Sequence, residues 1–555
     1  MRIRATGSVA TIPAREKKMN DREITNWTRA DDAMVENAIR RGANRRELLR
    51  MFMAGGISLA VGGTVLGRAT AALAQTPVSG GHLKAAGWSA STADTLDPAK
   101  ASLSTDYTRC CAYYNRLTFM KEDGSIEMEL ADSIESGDAA VWTVKLKSGV
   151  TFHDGKTLEA EDVVFSLQRH LDPAVGSKVN SIAKQFKEIK ALDPQTVQIT
   201  LESPNADLPT ILAMHHFMII ANGTTDFSTA NGTGAFVSEV FEPGVRSIGK
   251  RNENYFKPQK AHLDSFEYFA IPDDSARVNA LLSGDIQFAA SIKPQSVRLV
   301  ESQPDFVLSI TTGGNYTNLN ARMDLAPGDK AGFVEGMKYL MNRELIQKSA
   351  LRGLAEIAND QPVPPMSPFH NAELKPREFD PERAKSLFEK AGLLGQPIPV
   401  VASEAAASSL DMAMIFQQAG AEIGMRFDIQ RVPSDGYWSN YWLKAPVHFG
   451  NINPRPTPDI LFSLLYASDA PWNESQYKSE KFDRMLVEAR GELDTARRKE
   501  IYDEMQVMVS NEAGTGIPVY ISNVDAHAGK VKGLLPNPLG GQMGYAMAEY
   551  LWLEA

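Results

Sequence analysis

Cysteine is almost missing from this chain. Only Cys110 and Cys111 occur in 555 residues, and they are adjacent. Neighbouring Cα atoms lie about 3.8 Å apart, short of the usual disulfide span. A vicinal bridge would be strained, and buried free thiols are the ordinary state of cysteine; the sequence leaves both open. No disulfide framework can form, so the fold must rest on its own core. Histidine is scarce too, at nine residues, and no His/Cys cluster has metal-ligand spacing. A basic surplus is also lacking: the formal net charge is −10. Nucleic acid requires a basic surface and is excluded as the partner. After residue 74 no run reaches about 18 uncharged apolar residues, the length a spanning helix needs. The G-x-S-x-G and H-E-x-x-H signatures are absent, as is any cysteine–histidine context. No cofactor or metal is expected, and a secreted hydrolase remains only as an alternative.

What is present begins with an address. Asn44 to Arg50 reads NRRELLR, and Met51 to Gly67 follows with no charge and many small residues. Arg68 and the sequence ATAALAQ come next. A basic region, a short apolar region and a small-x-small site compose a secretory signal. Cleavage after Ala72-Leu73-Ala74 would leave Gln75 first, and a soluble mature protein is expected. The pair Arg45-Arg46 resembles a twin-arginine signal, with Leu48 where Phe is commonest; a general secretory signal is the alternative. The polar stretch before Asn44 is long for this purpose, which points to Met19 or Met34 as the start.

Along the mature chain, periodicity marks mixed α/β structure. Trp142, Val144 and Leu146 alternate with polar residues, as in a half-buried strand. Val163, Val164, Leu167 and Leu171 share one face of a helix over Glu159 to Leu171. The turn His153-Asp154-Gly155 joins the two. Asp380 is a helix N-cap, with Pro381 in the first turn and Gly392 at the stop. A further helix is expected from Asp494 through Gln506, and Pro362, Pro364, Pro365 and Pro368 mark an irregular segment. His215 and His216 lie in an apolar stretch. On a strand they would face opposite ways, which argues against one shared metal.

These segments, in this order, resemble the family of solute-binding proteins that serves ABC importers of dipeptides, oligopeptides and nickel. The most specific piece runs from Leu130 to Arg169, where Phe152 to Gly155 and Ala160 to Ser166 match the family almost letter for letter. Glu159 departs from the usual Thr and is a poor cap. Further matches are Gly232 to Phe236, Arg251-Asn252 with Tyr255-Phe256, Ala280 to Ile286, Val334 to Ile346, Asp380 to Gly392, Arg498 to Gln506, and Ile517 to Tyr520. Most are structural: Gly232 and Gly234 fit a tight turn better than a phosphate loop.

The resemblance implies a two-lobed α/β periplasmic-binding-protein fold of the cluster C type, with an additional small domain inserted in the N-terminal lobe. Residues 1–74 form the extension and signal. Lobe I is expected at 75–117, 232–316 and 524–555, the insert at 118–231, and lobe II at 317–523. The implied function is capture of a small solute in the periplasm and delivery to permease and ATPase subunits, by a monomer. Use in sensing or as a chaperone is a further alternative. Peptide-binding relatives often carry an Asp in the second lobe that pairs with the ligand's α-amino group. Here Arg455 falls at that place, with Asp459 the nearest carboxylate. An Arg fork suits a carboxylate, so the acid end of a ligand is the expected cargo. The other reading of Arg455 is a surface or hinge residue paired with Asp459. Trp438, Trp442 and Trp472 in the second lobe, and Trp88 and Tyr107 in the first, are candidate walls. Peptides, opine-like conjugates, glutathione-like compounds and oligosaccharides all stay open; nickel is disfavoured.

Overall fold

The half-buried alternation expected around Trp142 sits in strand Val141–Leu146, the second strand of a four-stranded antiparallel sheet. Its order is Ala131–Glu135, Val141–Leu146, Thr196–Leu201, Phe186–Asp193. Trp142, Val144 and Leu146 are buried against helix Ala160–Gln168, which presents Val163, Val164 and Leu167. Glu159 does not cap that helix in the usual way. Asp162 does it from inside the first turn, accepting the Glu159 N–H at 2.9 Å. This computed structural model describes residues 77–121, 124–535, 537 and 540–554; the signal residues Arg45, Arg46, Ala72 and Ala74 lie outside them.

A second sheet has twelve strands. Its centre is a pair of long antiparallel strands, Phe306–Ala321 and Val519–Ala528. On one side stand Val447–Ile452, Pro397–Ala402 and Arg426–Arg431. On the other stand Phe288–Ala289, His82–Gly87, Ser265–Ala270, Arg246–Arg251 and Phe236–Glu242. The central pair changes register between Thr312 and Asn315, so Gly313 and Gly314 form a bulge. Bulges bend and twist a ladder where one strand carries extra residues.

Separate apolar cores lie on the two sides of the central pair. Leu319, Phe333, Phe388, Val400 and Phe427 belong to one, and Leu83, Tyr113, Phe236 and Phe266 to another. The caps behave as local chemistry dictates. Asp380 accepts from Arg383 N at 2.9 Å ahead of helix Pro381–Lys390, and Gly392 follows at φ +70°. Asp494 accepts from Arg497 N at 2.8 Å, and its helix, Thr495–Glu512, outruns the expected end at Gln506. Gly232 and Gly234 are required by close approach. A Cβ on either would lie 2.1 and 2.3 Å from the backbone of Tyr113. Cys110 and Cys111 are free and buried in helix Ser104–Tyr113. Among the described residues no helix is long and apolar enough to cross a membrane.

Candidate ligand-binding cleft

Arg455 sits in the loop between strand Val447–Ile452 and helix Pro458–Leu465. Pro454 and Pro456 flank it, and proline fixes φ and removes a donor, so this short loop is stiff. The loop lines a narrow cavity with Met120 and Gly124 of the hairpin Thr118–Met120/Ile126–Met128, Gly314 of the bulge, and the segment Pro362–Pro368. The irregular proline segment of the sequence is thus a cavity wall.

The guanidinium of Arg455 lies 5.4 Å from the Trp472 ring centroid, in cation–π contact. Among the described residues no carboxylate reaches it and no hydrogen bond satisfies it. Burial pulls its pKa below the ordinary value, opposed by the hydroxyls of Tyr316 and Tyr107. Tyr107 stands on helix Ser104–Tyr113, and Tyr316 on the long strand beside the bulge. The Tyr316 hydroxyl is buried and faces the Tyr466 hydroxyl. Burial pushes Tyr107 up to about 12, and Arg455 draws it back. Two phenols and one cation therefore converge from three segments.

The expected aromatic walls divide. Trp438, Trp442 and Trp472 form a file, with centroids 5.6 and 5.5 Å apart in edge contact. Arg455 closes one end, and Trp438 is exposed at the other. Trp442 donates its indole N–H to Glu474 Oε1 at 2.6 Å. Tyr107 touches the rings of His215, His216 and Tyr545, each at 5.3 Å. Trp88 is half-buried, with one side packed against the core around Leu83 and Tyr113. Asp459 lies away from Arg455 and accepts from Arg490 Nε at 2.9 Å. Burial raises it to about 6.

His215 and His216 do not alternate across a strand. The chain turns after helix Leu208–Ile211, and both rings reach Tyr107. Burial pushes them down to about 3 and 4. Their imidazoles are neutral and held by Gly544 O and Ala101 O. Among the described residues no group of three or more His, Cys, Asp or Glu is placed to hold a metal ion.

Sequence reasoning missed Tyr316 and Glu474. Glu474 is buried, accepts from Asn318 Nδ2 at 2.6 Å as well as from Trp442, and is raised to about 7 by burial. Gly450 leaves room for it: a Cβ there would come within 1.8 Å of Glu474 Oε1. A lone Glu carries no motif. Its only signal is a glycine in the middle of the strand two residues before Ile452.

A cation set among prolines, phenols and an indole, beside a cavity where separately cored parts of the chain meet, is the candidate site for an anionic ligand. A family model, bacterial extracellular solute-binding proteins, family 5, middle region, matches residues 125–474. The chain belongs to this family and is the substrate-binding component of an ABC importer. It is 27% identical to heme-binding protein A of Haemophilus influenzae, over 78% of this chain and 86% of that protein. It is 25% identical to the glutathione-binding protein GsiB of Escherichia coli, over 79% and 89%. Two solved structures share the fold. The periplasmic binding protein DppA of Helicobacter pylori, in complex with the peptide STSA, has a TM-score of 0.70 and 24% identity, over 88% of this chain and all of that one. HbpA2 of Haemophilus parasuis has a TM-score of 0.77 and 22% identity, over 86% and all of that chain. The fold is the two-lobed one of periplasmic binding proteins.

Proposed function

We propose that the protein captures a carboxylate-bearing, peptide-like small solute and that Arg455 binds its acid group. One observation carries this reading: a desolvated guanidinium that no carboxylate of the described residues reaches, beside Tyr107, Tyr316 and Trp472. A partly buried, unpaired charge carries a desolvation cost, and an incoming carboxylate relieves it through a two-pronged hydrogen bond. The names of two relatives agree in chemistry, since glutathione and heme both carry carboxylates.

In this reading lobe I comprises residues 75–117, 232–316 and 524–555, the insert 118–231, and lobe II 317–523. The central strand pair is the hinge, with its bulge at Gly313–Gly314. The lobes close on the ligand, and the permease reads the closed state. The protein works as a monomer, leaves its cargo chemically unchanged, and reaches the periplasm by the twin-arginine route.

Mass spectrometry of ligand released from denatured, natively purified protein tests the ligand class. A carboxylate-bearing small molecule is the expected result. A cationic or neutral compound without an acid group would overturn the reading.

A further inference from the structure

Two segments 291 residues apart meet in a buried ion pair. Asp207, at the start of helix Leu208–Ile211, receives Arg498 Nη1 at 2.8 Å. The two side chains are 3% and 11% exposed. Beside them Ala206 N donates to Arg490 O at 2.8 Å. Arg490 in turn holds Asp459 at 2.9 Å and Ser463 Oγ at 2.8 Å. Ile460 packs on the core of the four-stranded sheet. Asp207 and that sheet lie in residues 118–231, and the partners lie in residues 317–523.

A contact between modules that never part is best made apolar, because a buried ion pair recovers little of its desolvation cost. Charges suit a contact that opens and shuts: parted, each side is hydrated; joined, the pair fixes one register. The same two modules line the cavity that holds Arg455. Arg455 and Asp459 are separated only by Pro456-Thr457-Pro458, a stiff connection. Thr457 also faces the Asp207 carboxylate.

We propose that Asp207 and Arg498 form the closing latch of the cleft, made on closure and broken on opening, with Arg490 and Asp459 buttressing it. This rests on the two-lobe reading above. The ligand anchor Arg455 shares one short segment with Thr457, which faces Asp207, and with Asp459, which buttresses the latch, so ligand capture and latching favour each other.

In this reading ligand-free protein exchanges between open and closed states and the latch raises the closed share, so small-angle scattering of the ligand-free protein tests it. Asp207→Asn keeps the size and an accepting oxygen for Arg498 but loses the charge, and its radius of gyration should exceed that of wild type. Arg498→Lys keeps the charge and should stay compact. A Cβ on Gly491 would lie 3.5 Å from Pro204 Cβ, within the roughly 3.5–4.5 Å that a disulfide accepts. Pro204→Cys/Gly491→Cys, oxidised, should return Asp207→Asn to wild-type compactness, and dithiothreitol should undo this. Equal radii for wild type and Asp207→Asn, with unchanged circular dichroism, would overturn the latch. So would an expansion that the disulfide does not reverse, since that means an unfolded insert. Arg455→Ala should leave these ligand-free radii unchanged. Failure of the anchor would show in its ligand affinity alone.

Discussion

Arg455 of the cavity wall and Glu474 behind the tryptophan file hold their charges in opposite ways. Arg455 is desolvated yet within reach of two phenols and an indole, which soften but do not cancel its charge. Arg455→Ala should weaken binding of the natural ligand by about 2–5 kcal/mol, the typical loss for one partner of a buried charge pair. That is roughly one and a half to three and a half decades in dissociation constant. Arg455→Lys should recover part, because an ammonium lacks the planar fork. Calorimetric titration reads both, and an unchanged constant for Arg455→Ala would remove the residue from the site. Glu474 is the reverse case, a carboxyl that burial raises to about 7 from an ordinary 4.5. The folded protein then holds a proton that the unfolded chain releases. Its stabilising contribution is full below the unfolded pKa and is lost as pH rises toward 7. The upper bound is roughly 3 kcal/mol, since a tenfold change in proton affinity is worth about 1.4 kcal/mol. Asp459 and Asp525 slope the same way, so the decisive comparison is with Glu474→Gln. That variant should flatten the fall in melting temperature between pH 5 and pH 8. A slope equal to that of wild type would show that Glu474 is ionised throughout.

At the scale of elements, the bulge and the loop that carries Arg455 press on each other. A Cβ on Gly314 would lie 2.8 Å from Pro454 Cβ and 3.0 Å from Pro364 Cγ. Both are ring atoms of constrained residues and cannot swing away. Gly314→Ala should therefore destabilise by about 1–3 kcal/mol, the usual cost of overpacking. It should also displace the loop that carries Arg455 and weaken ligand binding. Chemical denaturation and titration of the same variant check both effects; an unperturbed midpoint would mean the loop yields freely. Elements are legible in the sequence wherever the cause is local. Asp380 and Asp494 cap where side-chain chemistry places them, and the alternation at Trp142 reports its own burial. Glu159 shows the limit, because its cap comes from Asp162 and nothing in a preference scale names that partner. Tyr316 and Glu474 are illegible for a stronger reason. Their roles arise from neighbours more than 100 residues away, Arg455 and Asn318 respectively. Arg455 stands out only because family resemblance marks its place. The histidine pair departs from expectation because a turn replaces the strand.

At the scale of the whole molecule, one sheet runs without a break from strands near the N-terminus to strands in the second half. Its central ladder joins parts with separate cores. The order of the family motifs along the chain foretells the architecture; the pairing of Phe306–Ala321 with Val519–Ala528 does not follow from either strand alone. The stretch read as an export signal lies outside the described residues, and that reading rests on NRRELLR before an uncharged run. Replacing Arg45 and Arg46 with Lys should stop periplasmic accumulation, as judged by fractionation and immunoblotting. Normal accumulation of the double variant would assign export to the general secretory route.

The file of Trp438, Trp442 and Trp472 also makes the protein its own optical probe. Three indoles in edge contact share excitation, and the last of them lies against the guanidinium of Arg455. Neutralising that cation with a carboxylate changes the field at the Trp472 ring and therefore its emission. Binding should then be visible as a shift in intrinsic fluorescence with no dye attached. Trp472→Phe should lose most of that signal while calorimetry still records binding. A full signal in that variant would place the emitting indole elsewhere.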